Sequence, residues 1–291
     1  MSRRPAPAPR FDVVTAIASA SPRGVEHTED RALHFRGSRL SGATGVIVCD
    51  GVGSRAGSGD RAAQVSLLAR QHLGRRGVSG GLRSCAEDVA ASLGAATDGE
   101  GATTLIAVGA DDQGLVGFSF VGNGSLLEVQ GLDLGTGRTR LLWVDHALPH
   151  VCIAGGREAL RSYLPPDAGQ TLEVTSGEFG LPAGSARLFL ASSDGVATCE
   201  EQRVGRVNDG SVWKEVPRPL AGLLEALEVR WKDLVEGAAE ECHALLAEVL
   251  QEALDDALFA DHLDDDAAVG GVFLRPVPTV RMVQRRRKRV S

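Results

Sequence analysis

Aromatic side chains are scarce in this chain: one Tyr, three Trp and eight Phe supply 4% of its 291 residues. A core short of large rings must be built from Leu, Val, Ala and Ile. Cysteine is thin as well. Cys49, Cys85, Cys152, Cys199 and Cys242 are widely scattered, and no two form a C-x-x-C pair. That excludes a zinc site of the paired-cysteine type. An odd, dispersed set reads as buried free thiols in a reducing, cytoplasmic compartment. No apolar run reaches the length of a membrane span. The opening M-S-R-R-P-A-P-A-P-R is basic but lacks the apolar stretch of a secretory signal. The chain also lacks positive charge overall. Its net charge of −7 argues against non-specific nucleic-acid binding by the main body and suits cation binding.

What is present is ordinary for a globular protein, with 43% hydrophobic and 24% charged residues. The length admits one large domain or two small ones. Glycine is abundant at 36 residues, which fits many turns and a strand-rich architecture. Residues 1–10 form a Pro/Ala/Arg-rich tail of disordered composition. Residues 275–291 form a basic tail that includes Arg285-Arg286-Arg287-Lys288-Arg289. Such a tail suits an acidic partner, a membrane surface or nucleic acid, or is an unstructured terminus.

Between the tails the pattern alternates strands and helices. Strands are predicted at 11–18, 31–35 and 46–49. Ser58 or Asp60 is placed to cap a helix carrying Val65, Leu68, Ala69 and Leu73 on one face, with His72 packed there too. A second helix covers 82–93. From Thr103 to Val144 the strands follow one another as a serial antiparallel meander, with Gly122-Asn123-Gly124 read as a hairpin turn. A short helix over 157–163, a strand at 171–174, a strand at 187–191, an exposed loop at 196–216 and a helical region over 218–258 complete the expectation. Cys242, Leu245, Leu246, Val249, Leu250, Ala253, Leu254 and Ala257 give that region an unbroken core stripe. A last strand covers 268–274.

One stretch departs from packing alone. Val46-Ile47-Val48-Cys49 ends abruptly in Asp50-Gly51. A carboxylate at the end of a buried strand is held rigidly just outside the core. The adjacent glycine lets the backbone approach a ligand, so its carbonyl can serve as one. By itself this is also the signature of an Asp-Gly turn. The device recurs, however, in Leu188 to Ser193 running into Asp194-Gly195. Two more acidic junctions occur, at Glu29-Asp30 and at Asp265-Asp266 before the last strand. No Cys or His accompanies them at ligand-like spacing. An all-oxygen carboxylate set suits Mg²⁺ or Mn²⁺ rather than zinc. Carboxylates brought together repel unless cations neutralise them. Asp145-His146 is a possible catalytic pair, but nothing near it completes a triad, which favours a structural or rim role.

The ordered set of blocks resembles the metal-dependent protein phosphatases of type 2C, the PPM family. Thr28-Glu29-Asp30 matches that family's E-D element. Val48 to Gly53, with Gly57 and Gly59, matches its D-G element. Gly101-Ala102-Thr103-Thr104, Asp145-His146, Ser193-Asp194-Gly195 and Asp265-Asp266-Ala267-Ala268-Val269 match the later blocks in order, across residues 11–274. The resemblance implies an α+β fold: a four-layer α-β-β-α sandwich of two antiparallel sheets flanked by helices. It implies two Mn²⁺ or Mg²⁺ ions, with Asp50 bridging them. Glu29 and the Gly51 carbonyl would serve one ion, and Asp194 and Asp265 the other. Asp30 would orient water, and a hydroxide bridging the two ions would attack phosphoserine or phosphothreonine. The implied partners are a phosphoprotein substrate and a cognate Ser/Thr kinase system.

Four places depart from the family pattern. Asn123 stands where the family carries an Asp associated with a third metal. Val25 and Glu26 occupy the places of its phosphate-binding Arg, which leaves Arg23 as the nearest basic candidate for that role. Val52 after Asp50-Gly51 is closer to bacterial members, and Ala268 replaces a usual Thr or Ser. Asn123 and the missing Arg favour a second class of function, a weakly active or inactive phosphatase-like regulatory or binding protein. A third, nucleic-acid binding, finds support only after Arg275.

Overall fold

Apolar runs in the central strands are buried on both faces, and that layering makes the fold. Val46 and Val48 point one way, into a cluster with Ile106, Val108, Phe189 and Val272. Ile47 and Cys49 point the other way, into a cluster with Val65, Ala69, Leu73 and Leu105. A strand read as continuous hydrophobic residues is the pattern expected when both sides are covered. Val46, Ile47 and Val48 are 0–1% exposed, and burial of side chains of this size is worth about 2 kcal/mol each.

The computed structural model describes residues 10–24, 28–37, 42–78, 80–95, 100–135, 138–146, 151–152, 158–160, 162–197, 204–206, 212–214 and 218–277. Strands β1 (Phe11–Ala20), β2 (Arg31–Arg36) and β3 (Thr44–Cys49) precede helices α1 (Ser58–Arg76) and α2 (Cys85–Leu93). Strands β4 (Leu105–Ala110), β5 (Leu115–Val121), β6 (Ser125–Asp133) and β7 (Thr139–Asp145) follow, then the short β8 (Val151–Cys152) and β9 (Glu158–Ala159). Next come β10 (Thr175–Gly180), β11 (Arg187–Ser192), the one-turn α3 (Asp194–Ala197), β12 (Val204–Arg206) and β13 (Val212–Lys214). The described chain ends with α4 (Arg218–Glu236), α5 (Ala239–Phe259) and β14 (Ala267–Pro276).

Two five-stranded sheets result, ordered β1-β14-β11-β6-β7 and β10-β5-β4-β3-β2. Every strand pairing in them is antiparallel. Helices α4 and α5 cover the first sheet, where Leu223, Leu227, Trp231, Leu246 and Leu250 meet Leu188, Leu190 and Phe273. Helices α1 and α2 cover the second. The architecture is the expected α-β-β-α sandwich. The predicted α5 stripe is buried at Cys242, Leu246, Val249, Leu250, Ala253, Leu254 and Ala257. Cys49, Cys85 and Cys242 are buried free thiols.

Several local expectations are corrected. Gly122-Asn123-Gly124 is not a hairpin within one sheet. It carries the chain from β5 in the second sheet to β6 in the first. Gly122 and Gly124 take φ of 108° and 111°, and a Cβ on Gly124 would stand 2.5 Å from the Ser192 carbonyl oxygen. Only glycine makes so tight a passage between layers. The meander is therefore two hairpins, β4-β5 and β6-β7, in opposite sheets. The strand expected at 171–174 begins only at Thr175, because its partner β5 pairs no further than Phe120↔Thr175. The helix expected at 157–163 gives way to β9 at 158–159 and to irregular chain at Ser162 and Tyr163. Leu164 precedes Pro165, which disfavours helix, and pairs with Thr103 instead. Neither Ser58 nor Asp60 caps α1. Ser58 is its first residue, and its hydroxyl donates to the Val52 and Arg55 carbonyls. The tails at 1–9 and 278–291 and the Val25 and Glu26 positions lie outside the described residues.

Candidate active site

Antiparallel register gathers the four acidic junctions at one end of the sandwich. Arg31 pairs with Cys49, which sets Asp30 beside Asp50. Ser192 pairs with both Val269 and Ser125, which sets Asp194 between the Asp265-Asp266 turn and Asn123. Ala20 pairs with Ala267, which brings Ser21 to Asp266. Residues far apart in sequence thus meet because strands end together.

The backbone of Asp50 is clasped. Its carbonyl accepts from Thr103 Oγ1 at 2.7 Å and from the Thr104 amide at 2.9 Å, and its own amide donates to Thr104 Oγ1. This gives the Gly101-Ala102-Thr103-Thr104 block a mechanical role. Thr103 in turn exchanges two backbone hydrogen bonds with Leu164. Glu29 lies against the Gly51 backbone: a Cβ on Gly51 would stand 2.8 Å from Glu29 Cβ. On the other side, a Cβ on Gly195 would stand 2.0 Å from the Asp266 carbonyl oxygen. Both Asp-Gly glycines are there because another backbone or side chain needs their space.

The carboxylates meet pairwise. Asp30, 3% exposed, lies against Asp50 and Ser193, and its Oδ2 is buried with no hydrogen-bond partner. Asp50 faces Asp194 as well as Asp30. Burial pushes the Asp30 carboxyl up to about 8; Asp194 and Asp266 add to the rise, while the contacts with Asp50 and Ser193 oppose it. Burial also holds Asp50 well above the usual carboxylate range, and the charges of Asp30 and Asp194 push the same way. Carboxylates this close cannot all ionise unless a proton or a cation stands between them.

Asp266 is a hub that the sequence pattern alone left in Asp265's shadow. It is 2% exposed and accepts from Ser21 Oγ at 2.6 Å, from the Glu29 amide at 2.7 Å and from Arg23 Nη2 at 2.7 Å. Arg23 also stands 3.6 Å from Asp265 Oδ1. The Asp265 carboxylate is 69% exposed. Asn123 Nδ2 donates to Asp194 Oδ2 at 2.5 Å. Asp145 accepts from Ser125 Oγ and the Leu126 amide, and His146 sits 3.0 Å from Glu128 and stacks on Phe179. That pair braces the turn behind Asn123 and forms no triad.

The arrangement of sheets and strand ends matches known structures. The PPM Ser-Thr phosphatase MsPP from Mycobacterium smegmatis, in complex with cacodylate, superposes with a TM-score of 0.53 at 18% identity, over 91% of this chain and 99% of that one. The catalytic domain of the serine threonine protein phosphatase PstP, in complex with two manganese ions, gives 0.55 at 18% identity, over 91% and 99%. A bacterial serine phosphatase gives 0.59 at 13% identity, over 92% and 100%. The chain has the PPM phosphatase fold. Scans of its sequence against protein-family models and against curated proteins found no match.

The residues gathered here fit a divalent cation in chemistry. They are hard oxygen donors, they repel one another, and one buried oxygen lacks a partner. Among the described residues no three His, Cys, Asp or Glu side chains are set around one point as they stand. Asp30, Asp50 and Asp194 come together, Glu29 comes to Gly51, and Asp265 and Arg23 meet each other at the rim. Ser21, Ser193 and Asp266 were missed as site residues. Asp266 carried a signal, an acid at the head of the last strand, but nothing local told which of three consecutive acids is buried.

Proposed function

We propose that this chain is a metal-dependent phosphoric monoester hydrolase acting on phosphoserine or phosphothreonine in a protein substrate. The observation that carries the reading is the contact of Asp30, Asp50 and Asp194, three acids from three separated strand ends, in a fold shared with Ser/Thr phosphatases. Glu29, Asp50, the Gly51 carbonyl, Asp194 and Asp265 are the residues to hold two Mn²⁺ or Mg²⁺ ions. When bound, such ions supply an activated water at neutral pH and neutralise the phosphoryl charge.

The chain's own residues do the rest. Thr103 and Thr104 fix the direction in which Asp50 leaves β3. Asp30, beside Ser193 and Asp50, is the candidate to orient water through its unpartnered Oδ2. Arg23, half-exposed at the rim, is the candidate to meet the phosphoryl group, though it is paired with Asp266. A kinase system that phosphorylates the substrate and a cytoplasmic setting belong to the same proposal. No helix among the described residues is long and apolar enough to cross a membrane.

A second reading, a phosphatase-like binding protein of weak activity, is favoured by the Asn123–Asp194 bond and by the pairing of Arg23. Hydrolysis of p-nitrophenyl phosphate and of a phosphothreonine peptide, with and without Mn²⁺, decides between them. The native chain turns over only with metal, and Asp50→Asn and Asp194→Asn lose that turnover. The loss at Asp50 is at least about a thousandfold, the worth of several kcal/mol of metal-assisted stabilisation. Absence of metal-dependent turnover in the native chain, or its survival in both variants, sinks the phosphatase reading.

A further inference from the structure

The two halves of the carboxylate cluster are not treated alike by the surrounding protein. On the Asp30–Asp50 half, Asp30 Oδ2 is buried with no hydrogen-bond partner, in a residue 3% exposed. Glu29 beside it leans over the glycine loop, its Oε2 lying 3.7 Å from where a Cβ on Gly53 would stand. On the other half, a protein donor already occupies Asp194, and a guanidinium stands beside the acids that precede the last strand. Asn123 Nδ2 sits 2.5 Å from Asp194 Oδ2. Arg23 Nη2 sits 2.7 Å from Asp266 Oδ2 and 3.6 Å from Asp265 Oδ1.

The Asn123 N–H uses a lone pair of Asp194 that a cation at about 2.1 Å would need. A guanidinium beside a carboxylate also offsets the negative charge that would draw a metal there. We propose that Asn123 and Arg23 act as internal caps that make the site unequal. The Glu29–Asp50–Gly51 half takes the first divalent ion, and the Asp194–Asp265 half takes a second only when the amide and the guanidinium are displaced. Loading of the second ion is then the step that sets whether the centre is complete. The inference rests on the metal-site reading above but does not need turnover to be tested.

The test is a titration of the full chain with Mn²⁺ after chelator treatment, following free Mn²⁺ by electron paramagnetic resonance. The native chain is expected to bind one ion first and a second at least about tenfold more weakly, the scale of one charge-assisted hydrogen bond. Asn123→Ala and Arg23→Gln are each expected to strengthen the second step by about tenfold and leave the first unchanged. Two variants on separate elements guard against one that misfolds, and thermal melting in chelator identifies such a case. Two ions of equal affinity in the native chain, no ion at all, or a second step that neither folded variant alters would overturn the proposal. Unequal binding without any phosphate release would uphold the caps while removing the phosphatase reading. Equal binding with turnover would do the reverse.

Discussion

Asp50-Gly51 and Asp194-Gly195 are the same device in sequence, and the fold puts them to different use. Asp50 leaves β3 into a loop, with its backbone gripped by Thr103 and Thr104 and its carboxylate facing other acids. Asp194 opens the single turn α3, with its glycine pressed on the Asp266 carbonyl and its carboxylate met by Asn123. An apolar strand running into Asp-Gly therefore states where a carboxylate will stand. It does not state what faces that carboxylate. The neighbours arrive from strands dozens of residues away, and they decide whether an oxygen is open to a ligand or already bonded.

The sharpest way to break this comparison is at the glycines. Gly195→Ala drives a Cβ to 2.0 Å from a backbone oxygen, which cannot swing aside, and should destabilise the chain by about 3 kcal/mol. Gly51→Ala meets the Glu29 side chain first, at 2.8 Å, and should cost less, about 1 kcal/mol, while displacing Glu29. Urea unfolding of the two variants measures the gap, and equal costs would show that the two glycines are not differently constrained.

Charge gives the next effect. Asp50 carries its carboxyl in a buried place among acids, so Asp50→Asn should stabilise the chelator-treated protein. A gain of about 4 °C in Tm at pH 8 is expected, the response of a domain this size to 1–2 kcal/mol. The sign follows from proton binding. Asp30, Asp50's partner, titrates at about 8 when folded, above its ordinary 3.8, so the folded state binds more protons across that window. Stability in chelator must therefore fall as pH rises from 4 to 8, and relieving the cluster should flatten that fall. A Tm unchanged or lowered at pH 8 in Asp50→Asn would contradict the repulsion between these carboxylates.

The smallest effect lies in the prop behind Asp50. Arg55, in the loop after Asp50, holds Asp167 through two hydrogen bonds of 3.0 and 2.9 Å, and Tyr163 donates to the same carboxylate. The Arg55 bond, then the Tyr163 bond, holds the Asp167 carboxyl down to about 2. Its folded value lies below 3.8, so its contribution is complete above that pH and is lost as pH falls through about 2. Asp167→Asn should remove a small part of the acid-side loss of Tm between pH 4 and 2. Superimposable acid melts for variant and native chain would show the pair to be idle.

Much of the fold could be read along the chain. Val46 to Cys49 is apolar throughout because both faces of β3 are covered, and the α5 stripe repeats at helical spacing because one face meets the first sheet. The failures are equally physical. Gly122-Asn123-Gly124 has hairpin composition, and whether the next strand pairs with β5 or crosses to the other sheet depends on partners that the turn does not contain. Thr171 to Val174 alternates as a strand should, yet Leu172 and Val174 pack beside the helices, and the pairing with β5 stops at Thr175.

By itself the sequence determined most of the strands and helices and the four acidic junctions, since periodicity and turn chemistry are local properties, while the layering was implied by the family resemblance. Only the tertiary structure decided that Asp266 rather than Asp265 is buried, that Arg23 pairs with it, and that Asn123 bonds Asp194. Those are contacts between strand ends joined by long loops and opposite sheets. Their partners are set by register, and register is fixed by the packing of the whole sandwich.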